Sequence, residues 1–173
     1  TGLNEAAAID AATGNTRWVF SPDPQELHRH PVGQSGRGLA YWTDGDDERV
    51  FHNTSDGRLI ALNAKSGTTY ENFGNGGYVY LNQGLTDQPN PRVGSSSPPI
   101  VVGDTVIAQV VPSAINPTVK EAPPGHIRGF NTRTGALEWT FHTIPQAGEF
   151  GVETWENDSW KYTGNAGVWT MLT

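Results

Sequence analysis

Residues 8–20 read AIDAATGNTRWVF, and the same spacing returns at residues 61–73 as ALNAKSGTTYENF and at residues 129–141 as GFNTRTGALEWTF. In register, the three share an apolar second residue (Ile9, Leu62, Phe130) and an Asp or Asn third (Asp10, Asn63, Asn131). They also share a hydroxyl sixth (Thr13, Ser66, Thr134), glycine seventh (Gly14, Gly67, Gly135) and phenylalanine thirteenth (Phe20, Phe73, Phe141). The eleventh residue is Trp18, Glu71 and Trp139, so the middle copy lacks the aromatic. Physically, the pattern spells a turn. An Asx side chain accepts a hydrogen bond from the backbone two residues on, and glycine takes the positive φ that closes a short bulged hairpin. Each copy therefore predicts strand, turn, strand, with Trp18 and Phe20 on one face, and likewise Trp139 and Phe141, because strand side chains alternate. One such turn fits any antiparallel hairpin, whereas three with a shared phenylalanine mark an internal repeat of stacked units. Both indoles are then expected buried between neighbouring units.

Outside the repeat the chain reads as β structure throughout. PPIVVGDTVIAQVV (98–111) predicts a strand pair turning at Gly103-Asp104, and ERVFHNTSDGRLIALN (48–63) another turning at Asp56-Gly57. The 21 glycines and 12 prolines among 173 residues suit many tight turns and stay below the level of low-complexity disorder. A net charge of −7 and a pI near 5.1 exclude nucleic acid and an anionic membrane surface as partners. No apolar run approaches the ~20 residues of a membrane span. With no cysteine there is no disulfide, thiolate metal site or cysteine nucleophile.

The repeat A-x-D-x-x-T-G-x-x-x-W resembles the tryptophan-docking motif of the pyrroloquinoline quinone (PQQ) dependent alcohol and glucose dehydrogenases, which are eight-bladed β-propellers. Three further stretches carry the same resemblance: RGLAYWTDGDDERVFHNTSDGRLIALNAKSG (37–67), SSSPPIVVGDTVI (95–107) with PPGHIRGFNTRTGALEWTF (123–141), and FGVETWENDSWKYTGNAGVW (150–169). The implied fold is all-β, a partial propeller of four-stranded antiparallel blades: a blade end over 1–35, a blade over 36–82, another over 93–142, and a cofactor-side loop with the start of the next blade over 143–173. Such a piece leaves two open sheet edges, through which self-association is expected.

The implied function is oxidation of an alcohol or aldose, hydride passing to the quinone, with PQQ and calcium as cofactors of the complete parent protein and the periplasm as its location. PQQ is a flat quinone with three carboxylates, so its pocket needs cations, donors and an aromatic face. The resemblance assigns these to Arg37, whose fixed fork suits carboxylate or quinone oxygens, to Ser96 as hydroxyl donor, and to Trp169 as the flat face. Ser95 or Ser97 could replace Ser96, and Trp155 and Trp160 compete with Trp169. The Asp base and remaining calcium ligands are expected beyond residue 173, so the piece alone is expected to be inactive. Several positions depart from the family pattern. No cysteine pair precedes Arg37, Gly33 stands where the sugar branch has histidine (His30 lies three residues earlier), and Lys120 occupies a calcium-ligand position, with Glu121 one place off register. The rival is a non-catalytic propeller of the outer-membrane-assembly type, using the same repeats as a scaffold for protein partners. A free-standing β domain with capped edges is a third form.

Overall fold

The computed structural model describes residues 4–22, 37–85, 93–95, 97–112, 121–168 and 170–173. Among these the chain is almost entirely β. A hairpin pairs β1 (Ala6–Ile9) with β2 (Thr16–Phe20). A four-stranded antiparallel sheet follows in sequence order: β3 (Ala40–Thr43), β4 (Glu48–Asn53), β5 (Arg58–Asn63) and β6 (Tyr78–Tyr80). After the short strand β7 (Val93–Gly94) comes a second four-stranded sheet, built from β8 (Ile100–Val102), β9 (Thr105–Gln109), β11 (Ile127–Asn131) and β12 (Leu137–Phe141). The two-residue strand β10 (Val111–Pro112) pairs back onto β7. The hairpins expected at Gly103-Asp104 and Asp56-Gly57 join β8 to β9 and β4 to β5.

The three turns of the repeat close identically. Asp10 Oδ1 accepts from the backbone N–H of Ala12 and Thr13, Asn63 Oδ1 from Lys65 and Ser66, and Asn131 Oδ1 from Arg133 and Thr134. Gly14, Gly67 and Gly135 take φ of 75°, 74° and 72°, and each donates its N–H to the carbonyl of the Asx residue four back. Strand, turn, strand holds in the first and third copies, each with a bulge after its first repeat residue. The middle copy departs from it. There Thr69 makes only an isolated bridge to Leu62, the chain detours through residues 70–77, and the fourth strand forms at Tyr78–Tyr80. The detour carries Phe73 into the core, fully buried against the tilted ring of Phe51.

Strand β5 shows why the middle sheet is the heart of the molecule. Leu59 and Ala61 face one way, into a cluster with Phe51, Phe73, Val106, Ala108, Val110 and Phe130 that joins the two four-stranded sheets. Ile60 and Leu62 face the other way, against Ala6, Trp18 and Phe20 of the hairpin. A strand covered on both faces needs a continuous apolar run rather than an alternating one, which accounts for the sequence LIAL.

The units are joined in two chemically different ways. Trp18 docks as expected: its indole lies over Gly67 in the next turn, where an added Cβ would sit 2.6 Å from the ring, and its Nε1 donates to Ala64 O at 3.0 Å. Between the two four-stranded sheets, where Glu71 replaces the aromatic, hydrogen bonds accompany the apolar cluster. Gly74 N donates to Thr134 O at 2.8 Å, and Trp42 Nε1 donates to Asp104 Oδ1 at 3.2 Å. Arg49 Nη1 donates to the carbonyls of Thr132 and Arg133, and Arg128 Nη1 to those of Leu81 and Gln83. The expectation for Trp139 fails. Its indole lies on Gly129, its cross-strand partner, but the residue is 40% exposed, because no further turn lies across it among the described residues.

Candidate functional site

The three residues assigned to a cofactor come from segments 59 and more residues apart, so the first question is whether the fold gathers those segments. Arg37 is exposed, makes no ion pair among the described residues, and precedes β3 by three positions. The adjacent Gly38 packs on Pro98: an added Cβ would meet the proline ring at 3.3 Å. Pro98 leads into β8, so Arg37 stands beside the segment that carries Ser96. Ser96 itself lies outside the described residues, but its neighbours are fixed. Ser95 N donates to Thr54 O, and Asn53 Nδ2 donates to Ser95 Oγ at 3.4 Å and to Ser97 O at 3.2 Å. Ser95 and Ser97, the alternatives to Ser96, are both buried.

Trp169 is likewise outside the described residues, and again its flanks are placed. Residues 163–167 run along residues 121–125, with Thr163 bridging Glu121 and Asn165 N donating to Pro123 O at 3.2 Å. The two backbones touch through Gly164 on Ala122 O and through Gly125 on Gly167, approaches no side chain would permit. On the far side of Trp169, Thr170 O accepts from Gln109 Nε2 at 2.5 Å. Gln109 ends β9, and β9 pairs antiparallel with β8 with Ile107 opposite Ile100. Pro98 and Gln109 therefore lie at the same end of one sheet. The segments flanking all three assigned residues meet there, opposite the Gly103-Asp104 turn.

Two residues at this end carry no signal in the repeat. Gln109 is 1% exposed and its Oε1 has no partner among the described residues; Asn53 is 2% exposed and its Oδ1 is likewise unpartnered. A buried amide oxygen without a donor costs about 1–3 kcal/mol. Both were visible in the sequence only as polar residues closing apolar strands, VIAQVV and VFHN. Trp155 and Trp160, the competitors of Trp169, line an open hollow of about 870 Å³ formed wholly by residues 147–160.

The loop leading toward Trp169 is pinned at its start by two histidines. The His126 and His142 rings meet edge to face at 4.6 Å. Thr143 N donates to His126 Nδ1, which assigns the proton of the neutral ring to Nε2. His142 Nδ1 pairs with Glu149 Oε1 at 2.7 Å, and Glu149 Oε2 accepts from Gln146 N. Burial, then the neighbouring His142 and Arg128, push His126 down to about 4. A histidine held neutral in the fold takes up its proton more readily when unfolded. Its contribution is therefore whole above the ordinary value near 6.5 and is lost as pH falls from there to about 4, on the order of 2–3 kcal/mol. Thermal melts between pH 7 and pH 4.5 should show a steep acid loss that His126→Gln flattens; parallel profiles would remove His126 from the acid response.

The sequence profile of the family described as PQQ glucose/ethanol/alcohol dehydrogenase, beta-propeller domain, matches residues 1–173. The chain belongs to this family. It is 29% identical over 177 residues to the glycerol dehydrogenase large subunit of Gluconobacter oxydans (strain 621H), covering 98% of this chain and 23% of that one. Over 95 residues it is 42% identical to the quinate/shikimate dehydrogenase (quinone) of Acinetobacter baylyi, covering 54% of this chain and 11% of that protein. Among solved structures, a quinohemoprotein alcohol dehydrogenase from Pseudomonas putida HK5 superposes with a TM-score of 0.69 at 21% identity, covering 95% of this chain and 23% of the other. That likeness shows the fold: the sheets described above are propeller blades. This PQQ dehydrogenase propeller chain spans about a quarter or less of the length of these relatives.

The described residues fit a PQQ pocket in one respect. An exposed guanidinium, with no ion pair among the described residues, stands at the sheet end where the other assigned segments arrive, as a tricarboxylate requires. They supply no calcium site: among the described residues no three histidine or carboxylate side chains cluster, and Glu121 is exposed on its bridge to Thr163. Gly33, His30 and Lys120, the other positions that depart from the family pattern, lie outside the described residues.

Proposed function

We propose that this chain forms one wall of the cofactor pocket in a PQQ-dependent dehydrogenase that oxidises an alcohol or aldose in the periplasm. The supporting observation is the meeting of three sequence-distant segments at the Pro98–Gln109 end of the second four-stranded sheet. When bound, PQQ supplies the two-electron acceptor chemistry. The chain's own residues bind and orient. Arg37 offers a charged fork to a carboxylate or quinone oxygen, and Ser96 a hydroxyl. Trp169 offers a flat apolar face. Asn53 and Gln109 act behind them, holding the serine segment and the segment after Trp169 through main-chain carbonyls. The substrate class follows from the relatives, whose names specify glycerol, glucose and quinate or shikimate, all bearing secondary or hemiacetal hydroxyls. The proton acceptor and the calcium ligands belong, on this proposal, to parts of the enzyme outside these 173 residues.

The test is a PQQ titration of the whole enzyme containing this chain. Arg37→Ala should weaken PQQ by ~2–5 kcal/mol, since an anionic oxygen loses a charged partner. Arg37→Lys should recover only part of it, because a point charge cannot make the paired contact of a fork. Trp155→Ala, in the separate hollow, should bind as the parent does. Equal affinity in all three variants would remove Arg37 from the pocket and favour the scaffold reading.

A further inference from the structure

Three arginines are buried among the described residues, and two of them have a carboxylate partner. Arg49 sets the pattern: Nε and Nη2 hold Asp47, while Nη1 donates to two main-chain carbonyls of the neighbouring sheet, Thr132 O and Arg133 O. Arg58 Nη2 pairs with Asp56 at 2.6 Å. Arg128 repeats the Arg49 arrangement in the opposite direction. It stands in β11, and its Nη1 donates across the joint to Leu81 O at 3.1 Å and Gln83 O at 2.8 Å, just after β6. Its Nε–Nη2 edge meets no carboxylate among the described residues; Nε reaches only Thr140 Oγ1, at 3.5 Å. Burial, with no neighbouring charge to offset it, pushes the guanidinium below the ordinary arginine value. An ionised group taken out of water without a counter-charge is strongly unfavourable, and here it occurs in a chain of net charge −7, where carboxylates are plentiful.

Arg128 is 3% exposed, and it lines a groove of about 620 Å³ between β6 and β12, the outer strands of the two four-stranded sheets. The groove is walled by Tyr78 and Tyr80, whose rings meet edge to face at 5.3 Å, and by Phe130, with Gly84 and Gly135 leaving it open. Gly135 is the counterpart of the Gly67 that Trp18 covers; in this joint Glu71 stands in the aromatic's place and is exposed, and no indole lines the groove. Arg128 is the one charged residue lining it among the described residues. A single fork matches the one negative charge of a monocarboxylate, whereas a phosphate dianion would keep a charge unmatched. The aromatic walls suit a flat apolar body beside that charge.

We infer that the groove between β6 and β12 binds a small organic monocarboxylate with a flat apolar body: the carboxylate takes the Nε–Nη2 edge of Arg128, as Asp47 takes that of Arg49, and the body lies against Tyr78 and Tyr80. The bound anion supplies the counter-charge of a guanidinium that already ties the second sheet to the first, so it braces this joint. The groove lies at the sheet edges opposite β3 and β8, which follow Arg37 and the serine segment, so this site stands or falls apart from the cofactor reading.

The experiment titrates benzoate into the 173-residue chain at fixed ionic strength, read by calorimetry, beside acetate, benzyl alcohol and inorganic phosphate. Benzoate should bind saturably, one per chain, and raise the thermal midpoint as it does. Acetate, which has the charge without the ring, and benzyl alcohol, which has the ring without the charge, should each bind at least tenfold more weakly, and phosphate no better than acetate. Two variants assign the anion to Arg128. Arg128→Gln removes the charge and should lose benzoate binding. Gln83→Glu, at an exposed residue whose carbonyl already accepts from Arg128, brings a carboxylate into the groove and should weaken benzoate at least fivefold, with the parent's β signal kept in circular dichroism. Should Arg128→Gln fail to fold, Gln83→Glu decides alone. No saturable benzoate binding by the parent, a match to benzoate by any of the other three probes, or a folded variant that binds benzoate like the parent would each overturn the proposal.

Discussion

Arg49→Met should separate the two four-stranded sheets and cost ~3–5 kcal/mol, a large part of the stability of a domain this size. The guanidinium is 3% exposed and serves two partners at once. Its Nε and Nη2 bind Asp47 Oδ2 at 2.7 and 2.6 Å within the first four-stranded sheet, while Nη1 donates to Thr132 O at 3.1 Å and Arg133 O at 2.8 Å in the turn of the second. The guanidinium carbon lies over the Tyr70 ring, 4.0 Å from its centroid, and the Tyr70 hydroxyl donates to Asp47. Methionine keeps the length and loses all of this, leaving two main-chain carbonyls without donors and a carboxylate without its counter-charge. Urea denaturation should show a midpoint well below the parent's with an unchanged slope. Arg49→Lys should recover little, since an ammonium cannot span both partners. The control is Arg17→Met, whose partner Asp10 is on the surface; that pair should contribute nothing measurable. A midpoint for Arg49→Met equal to the control's would mean that the sheets are held by their apolar cluster alone.

Gly67→Ala and Gly14→Ala should differ sharply although the two turns are alike. Both glycines have φ near 75° and the same hydrogen bonds, so alanine incurs the same left-handed strain in each, roughly 1–2 kcal/mol. Only at Gly67 does the methyl enter the space of an indole, 2.6 Å from the Trp18 ring. Displacing that ring adds an overpacking cost of about 1–3 kcal/mol and the loss of the bond to Ala64 O. Subtracting one variant's loss from the other's cancels the backbone strain and leaves the docking contribution. Equal losses would show that the indole contact stabilises nothing.

The repeat turn and the docking residue Trp18 were legible because their determinants are short-range: the Asx acceptor, the hydroxyl and the positive-φ glycine lie within five residues, so the chain spells the turn out. The detour at residues 70–77 was not legible. It hangs on Gly74 meeting Thr134 O, sixty residues away, and only that meeting explains why Phe73 is a core residue while Glu71 is exposed. For the candidate site, motif resemblance could single out Arg37, Ser96 and Trp169 one by one. It could not show Asn53 and Gln109, which act by gripping main-chain carbonyls and need no particular neighbours in sequence.

By itself, then, the sequence determined three identical turns, the strand pairs around Gly103-Asp104 and Asp56-Gly57, and a chain of β units with an acidic surface. Those features depend on local conformational preference and on charge, which each residue carries wherever it sits. The tertiary structure alone decided that Trp18 is docked and Trp139 open, though both stand at the same place in the same hairpin, since exposure depends on what lies across the ring. It alone decided that the neighbourhoods of residues 37, 96 and 169 meet, because the antiparallel register of β8 on β9 sets Pro98 and Gln109 at one end of the sheet, and no local preference encodes that register.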